Sequence, residues 1–519
     1  MLIRRTISTS MKKKPRVVIL GSGWGGNRLA RMLNKDIFDV NVVSPANHFL
    51  FTPLLPQTTV GSLEFRTIQE PVRTIDGLGG YYQAKARSLD LEKRIVKCED
   101  IFCKDRFDLS WDVLVLATGS KTNTFGTPGV MENEGKDVFF LKHLYHARQI
   151  RNRVLECFER AAIPNLPESE RERLLSFVVV GGGPTSCEFV AELYDFVTKD
   201  VSKWYPDLTA KITLVEAGPR ILGSFDQKLV DYSLGNFRGK NIDVRTDTSV
   251  TAVSCARETI VDEKTGKKHQ HSDAELSDGS TLPFGMIVWS AGLQPVKFCE
   301  NTSQFARGPT GRVLVDRFLR IQLNSDLVDG EFASQGMGLG GRLYGIGDAV
   351  VNAEAPLVPL ASVAEQQADY LSRVRQYILK SFNIYLIHTT TFHTSQVLND
   401  HLATKIQHSD GDQHLPLPGK IPVSSFPPFP SFMYDKSRSF RYISRGAMSS
   451  MGSFRGLVDM SHIDTPFGKA PDHIATSGFF GFLAWHSYYF SKQYSWSNMI
   501  LNPLMKFKAM CFGRDISRF

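Results

Sequence analysis

The chain has 519 residues, 42% hydrophobic and 22% charged, which is too long for one compact core and too apolar for a disordered or collagen-like chain. Its 61 Lys and Arg exceed its 53 Asp and Glu by eight, but six of those basic residues fall within the first 16 positions with no acid among them, leaving only +2 for the body. A nucleic-acid binder shows its positive charge on the folded body, so no nucleic-acid partner is expected.

Residues 1–15 carry Arg4, Arg5, Lys12, Lys13 and Lys14 among Thr6, Ser8, Thr9 and Ser10, and the first acid of the chain is Asp36. That composition suits a mitochondrial targeting segment; a plain basic tail would look the same. An apolar run, Val17 to Leu20, then enters Gly21-Ser22-Gly23-Trp24-Gly25-Gly26, followed by a helical stretch bearing Leu29, Ala30 and Leu33 and a second apolar run at Val40 to Val43. Strand, glycine turn, helix and strand are the context that the dinucleotide fingerprint requires. Gly21 allows the tight turn, Gly23 lets backbone approach a pyrophosphate, and Gly26 permits close helix–strand packing. The helix N-terminus offers its free N–H groups to phosphate. Where an acid would hold the ribose, this chain has Ser44-Pro45, so a hydrogen bond survives there without its charge.

Downstream, Trp111 to Leu116 reads as a buried strand ending in the small-residue turn Ala117-Thr118-Gly119, which can lie against a cofactor. The fingerprint then recurs. Phe177 to Val180 leads into Gly181-Gly182-Gly183-Pro184-Thr185-Ser186, a helix with Phe189, Leu193, Phe196 and Val197 at helical spacing, and a strand ending on Glu216. An acid there bonds both ribose hydroxyls and repels a 2′-phosphate, favouring NADH over NADPH. Ser186 replaces the third glycine and is expected to crowd the helix–strand contact slightly. The usual arrangement of two such units gives FAD the first site and NAD(P)H the second. Gly347, Asp348 and Ala349 end a further strand, and Asp348 is placed to bond the ribityl hydroxyls of a flavin, or else to cap a helix. The fold class expected is α/β: two Rossmann-like dinucleotide-binding domains in the glutathione-reductase arrangement, plus a C-terminal membrane-associating domain.

The seven cysteines are scattered and suggest neither a disulfide framework nor a zinc site. Redox-active dithiols of this architecture use a CxxxxC pair beside the flavin, whereas the chain's one such spacing, Cys98 to Cys103, sits beside the alternating strand Arg94 to Lys97 and reads as incidental. Electrons would then leave for a diffusible acceptor. His143 and His146, and His269 and His271, read as surface residues rather than metal ligands, and Asp410-Gly411-Asp412 lacks the glycine and glutamate of a calcium loop. No metal is expected. Residues 326–342 form a glycine-rich loop, and residues 409–430, with six prolines from Pro416 to Pro430, form an irregular connector.

No run reaches the roughly 18 unbroken apolar residues of a membrane-spanning helix. From Phe479 to Phe512, however, 11 of 34 residues are aromatic, and Ile500, Leu504, Phe507 and Cys511 fall on one helical face with Lys506 and Lys508 off it. That pattern suits an amphipathic helix at a lipid interface. A face packed on the body, or on a second subunit, would have the same pattern.

Together these features resemble the type II (alternative, rotenone-insensitive) NADH:quinone oxidoreductases, from about Arg16 to Phe519. The specific pieces are Ser44-Pro45 through Phe49 to Pro56, Gly181 to Leu193 with Glu188 and Glu192, Ala364-Glu365-Gln366-Gln367, and the tail Phe512 to Arg518. The resemblance implies non-covalent FAD, NADH as substrate, a membrane quinone as acceptor, and no proton pumping. It places Thr52, Pro53 and Leu54 near the flavin and the Trp289-Ser290-Ala291-Gly292 turn near the nicotinamide, with Ala291 and Gly292 as contacts. Gln366 and Gln367 match the quinone-side motif, where a side-chain amide could donate to a quinone carbonyl; without that motif, two glutamines on a helix would be read as bonding water or backbone. Glu188 matches a residue that shapes the site or relays protons, although an acid in the first turn of its helix is explained by the dipole alone. The family's C-terminal region implies peripheral attachment to the inner mitochondrial membrane and a homodimer contact. Departures are Ala46 for a common arginine, Ser450 for an aromatic, His486 for an arginine, and Trp496-Ser497-Asn498 in an arginine-bearing stretch. They leave a rival reading, a non-catalytic subunit of a larger respiratory assembly. The domain boundaries expected are a targeting segment at 1–15, an FAD domain at 16–140 and 305–395, an NADH domain at 141–304, a connector at 396–439, and a C-terminal domain at 440–519.

Overall fold

The computed structural model describes residues 14–255, 260–261, 268–269, 272–324, 342–373, 439–461, 463–465, 468–469 and 475–517. Residues 1–13 of the leader, 326–341 of the glycine-rich loop, His271 and residues 409–430 of the proline-rich connector lie outside them. The elements that carry the site are, in chain order, β1 (Arg16–Leu20), α1 (Trp24–Met32), β2 (Asp39–Val43), β3 (Ser176–Val180), α2 (Pro184–Lys199), β4 (Lys211–Val215), β5 (Met286–Trp289), α3 (361–373), α4 (Phe479–Ser491) and α5 (Trp496–Phe512).

The chain divides into two compact units. One comprises residues 1–47, 72–119 and 297–442, the other 48–71, 120–296 and 443–519. The division cuts differently from the domains expected above: residues 48–71, with Thr52, Pro53 and Leu54, group with the second unit, and so does the C-terminal region from 443.

In the first unit a five-stranded parallel sheet runs Leu343–Gly345, Val113–Leu116, β1, β2, Gly80–Tyr82. Val17 to Leu20 are all at most 1% exposed, as expected of a central strand covered on both faces. A three-stranded antiparallel meander, Ala84–Asp90, Ile95–Asp100 and Arg106–Ser110, belongs to the same unit. It holds Cys98, buried on its middle strand, while Cys103 is exposed beyond the strand's end, and both are free thiols.

The second unit repeats the plan: Val138–Phe140, β5, β3, β4, Asp243–Arg245, all parallel. In both sheets the strand before the glycine turn lies centrally. Chain order reverses beside it, which opens a crevice at the carboxyl ends of the strands. The C-terminal region adds a three-stranded antiparallel sheet, Ala447–Ser450, Gly456–Asp459 and Ala475–Gly478, with α4 packed on it. Among the described residues no helix is long and apolar enough to cross a membrane.

Candidate functional site

The first crevice is built around Gly21. Its φ of 111° belongs to the left-handed half of the map, and a Cβ there would meet the Ala117 carbonyl oxygen at 2.2 Å. A Cβ on Gly26 would sit 2.0 Å from the Gly21 carbonyl oxygen, so α1 approaches the turn at backbone distance. Gly23, by contrast, has nothing within 4 Å where a Cβ would stand, and neither has Gly119. The turn is thus closed on the protein side and open on the ligand side. Gly23 N-caps α1 and, having no side chain, supplies no capping bond of its own, which suits a helix start that accepts a phosphate. Ser44 ends β2 with its hydroxyl 2.9 Å from Ser22 Oγ, and the Ala46 N–H donates to it at 3.3 Å. Thr118 Oγ1 pairs with Cys299 Sγ at 3.5 Å. Gly347, Asp348 and Ala349 form a single 3₁₀ turn, and the Asp348 carbonyl accepts from Arg312 Nε at 3.0 Å. These residues fit a dinucleotide cofactor: an uncapped helix start, an open cradle above Gly23 and Gly119, and polar groups at the strand ends.

Gln366 and Gln367 lie on α3, both buried. The Gln367 carbonyl Oε1 accepts the Gly347 N–H at 2.7 Å, so this side chain holds the 3₁₀ turn.

The second crevice has the same backbone and different side chains. Gly181 has φ 109°, and its missing Cβ makes room for the Ala291 backbone N at 3.0 Å, which ties the phosphate loop to the turn after β5. Gly183 again faces open space, and Gly183, Pro184 and Thr185 are exposed. Glu216 accepts the Gly218 N–H at 2.6 Å and also the Gly182 N–H, which fixes its carboxylate at the lip of the crevice. Ser186 does not crowd the helix as expected. Its buried hydroxyl pairs with Ser290 Oγ at 2.5 Å, linking α2 to the turn Ser290-Ala291-Gly292.

Glu188 corrects the sequence expectation. α2 begins at Pro184, and its first turn contains no acid. Glu188 therefore gains little from the helix dipole, whose effect fades within one turn. Its carboxylate Oε1 accepts the Ser450 N–H at 2.9 Å, and burial pushes its pKa up to about 8. Desolvation penalises the charged form when no cation answers it. Ser450, where an aromatic was expected, is thus a backbone partner of this acid.

One helical turn further on, Glu192 behaves oppositely. Burial would raise its pKa, but Lys506 and Arg514 outweigh that and hold it down to about 2. Lys506 Nζ lies 3.4 Å from Oε1 and Arg514 Nη2 3.0 Å from Oε2, with Ser62 Oγ donating at 2.9 Å. Arg514 also bonds Asp200 at 3.0 Å. Lys506, which the helical pattern sets with Lys508 off the apolar face, points inward to Glu192. His486 sits beside this cluster, its Nδ1 2.9 Å from the Phe482 carbonyl oxygen; burial and then Lys506 push its pKa down to about 4, so a neutral ring replaces the arginine expected there. The sequence singled out the tail and Glu192. It carried no signal joining them, because 322 positions separate Arg514 from Glu192.

His146, expected at the surface, is buried: its Nδ1 accepts the His143 N–H at 3.1 Å and closes a capping box at the start of the helix Leu144–Ala161. The apolar face of α5 is exposed through Trp496, Ile500, Leu504 and Phe507, and α4 adds Phe479, Phe480 and Leu483.

Comparison with known proteins identifies the family. The family model of pyridine nucleotide-disulphide oxidoreductases matches residues 15–368. A probable NADH dehydrogenase of Dictyostelium discoideum is 34% identical over an alignment covering all of this chain and 94% of that protein. The mitochondrial external NADH-ubiquinone oxidoreductase 2 of Saccharomyces cerevisiae is 32% identical, covering 97% and 82%. The mitochondrial internal alternative NAD(P)H-ubiquinone oxidoreductase A1 of Solanum tuberosum is 31% identical, covering 98% and 89%. Among solved structures, NDH2 from Plasmodium falciparum in complex with NADH superposes with a TM-score of 0.72 over 97% of this chain and all of that one, at 23% identity, a likeness of fold. The chain belongs to the type II NADH dehydrogenases within the pyridine nucleotide-disulphide oxidoreductases.

Proposed function

From that membership we propose that the chain is a mitochondrial, FAD-dependent NADH:quinone oxidoreductase that oxidises NADH and reduces a membrane quinone without pumping protons. One observation carries the reading: two dinucleotide crevices stand in one chain whose one CxxxxC spacing, Cys98 to Cys103, starts on the antiparallel meander and not on the helix after either glycine turn, so an electron pair arriving from NADH finds no dithiol relay there and leaves for a diffusible acceptor. FAD, when held by the first unit, would supply the hydride- and electron-transfer chemistry between NADH and quinone.

This chain's residues bind, orient and manage protons. Gly21, Gly23, Trp24, Gly25 and Gly26 would hold the FAD pyrophosphate, with Ser44, Ala117, Thr118, Gly119, Gly347, Asp348 and Ala349 around the rest of the cofactor. NADH lies over Gly181, Gly183, Pro184 and Thr185, its adenosine ribose on Glu216, its nicotinamide half toward Ala291 and Gly292. Glu188, kept neutral by burial, stores a proton at its carboxyl for quinone reduction. Gln366 and the amide N–H groups of Gln367 donate to the quinone carbonyl.

We place the protein on the inner mitochondrial membrane as a peripheral protein, attached through the exposed aromatics of α4 and α5 and carrying a homodimer contact in the same region. The exposure of Trp496 (79%) and Phe480 (75%) supports a lipid-facing surface.

The test is anaerobic addition of NADH to the purified flavoprotein, followed by a short-chain quinone. Loss of flavin absorbance with NADH but not NADPH, and its recovery with quinone, is expected. Flavin that stays oxidised under NADH overturns the enzyme reading. Co-sedimentation with anionic vesicles, lost when Trp496, Ile500, Leu504 and Phe507 become serine, checks the attachment.

A further inference from the structure

The loop after the strand Ser120–Thr122 holds a side chain that neither the fold nor the proposed mechanism has used. Phe125 is 67% exposed and has a left-handed backbone, φ 53°, a conformation that a bulky aromatic rarely adopts. Three bonds hold the loop in place. The Phe125 N–H donates to Asn123 Oδ1 at 2.9 Å, the Trp289 indole N–H donates to the Asn123 carbonyl at 3.0 Å, and the Asn123 N–H donates to the Gly292 carbonyl at 3.3 Å. The loop is therefore clamped onto the turn that follows β5. Phe125 itself lies over Gly292: a Cβ there would be 2.5 Å from Phe125 Cζ. Gly292, with φ 71°, is the residue that both the turn and the ring require.

The fold says which part of a ligand meets this place. A dinucleotide spans the crevice at the point where strand order reverses, here between β3 and β5. Its adenosine ribose is held at the end of β4 by Glu216, and its pyrophosphate at Gly181 to Gly183. The other half therefore extends over the carboxyl end of β5, where Ser290 to Gly292 and the ring of Phe125 lie. Strain at an exposed aromatic, maintained by three hydrogen bonds, is the kind of feature found at ligand clamps.

We infer that Phe125 is a substrate-contacting residue for the nicotinamide ring of NADH, its own ring packing on the nicotinamide and setting its position over the Ser290–Gly292 turn. The inference rests on the reading of the second crevice as the NADH site.

The experiment compares two ligands on the flavin-loaded protein by calorimetric titration: NAD⁺, and ADP-ribose, which keeps the adenosine, the pyrophosphate and the second ribose but lacks the nicotinamide ring. In Phe125→Ala, NAD⁺ is expected to bind about tenfold more weakly, as an aromatic contact of ordinary strength would give, while ADP-ribose binds as before. Phe125→Tyr, which keeps the ring, restores NAD⁺ binding. Glu216→Ala weakens both ligands. If Phe125→Ala leaves both affinities unchanged, or lowers both equally, the inference is overturned while the NADH reading stands. Native protein that binds neither ligand overturns the NADH reading and the inference with it.

Discussion

The two dinucleotide units are the same device built twice with different side chains. Their first glycines have φ 111° and 109°, and their cradle glycines, Gly23 and Gly183, both open into space. At the third fingerprint position they part. Gly26 is jammed against the Gly21 carbonyl, whereas Ser186 fits and bonds Ser290. At the ribose position Ser44 faces Glu216. Along the two helices Arg28 stands where the second unit has Glu188. Arg28 is neutralised by Asp369 in two bonds of 2.7 and 3.2 Å, while Glu188 is held by a backbone N–H and keeps its proton. The shared backbone sets where a pyrophosphate goes. The side chains decide which nucleotide it belongs to and whether the helix beneath carries charge or a proton.

The strongest way to break the parallel is Gly26→Ala. The added methyl overlaps the Gly21 carbonyl, an overpacking expected to cost about 1–3 kcal/mol and to empty the first site, read as flavin per chain and as a fall in melting temperature. The serine already tolerated in the second unit predicts no such loss from Ser186→Ala. Glu216→Ala then tests the ribose position. Losing charge-assisted bonds of about 1.5–3 kcal/mol should raise the KM for NADH roughly 10- to 100-fold and narrow the preference over NADPH.

Glu188→Gln sharpens the contrast between the helices. In the folded chain this carboxyl keeps its proton up to about pH 8, while the ordinary value is 4.5. Between those limits the folded state binds more protons than the unfolded one, so Glu188's contribution to stability is present below pH 4.5 and is lost as pH rises through 8. The glutamine variant should flatten that slope in denaturant titrations across pH. Quinone reduction in the native protein should fall off above pH 8, and the variant should lose that inflection with flavin reduction by NADH unaffected. The smallest effect belongs to Ser186→Gly, which removes a hydroxyl and leaves Ser290 its other acceptor, the Val180 carbonyl. The expected destabilisation is about 1 kcal/mol or less, a melting shift of a few degrees with kinetics unchanged.

By itself the sequence determined the two strand–turn–helix–strand units and their cofactor class, which rest on glycine spacing, apolar runs and one acid at a strand end, because the steric rules behind them act over a few residues. The family was legible in the resemblance carried by Ser44 to Pro56, Gly181 to Leu193, Ala364 to Gln367 and the tail Phe512 to Arg518. It also marked the C-terminal aromatic face, because helical periodicity is local. Tertiary structure alone decided the charge states and partners. Two glutamates four residues apart on α2 look equivalent in sequence. Glu188 is pushed up by burial against Ser450, and Glu192 is pulled down by Lys506 and Arg514, partners more than 250 positions away. The same holds for Lys506 turning inward, for Ser186 meeting Ser290, and for Phe125 lying over Gly292. A side chain's environment is set by whichever distant segments pack around it, and burial and Coulomb interactions follow those segments rather than the spacing along the chain.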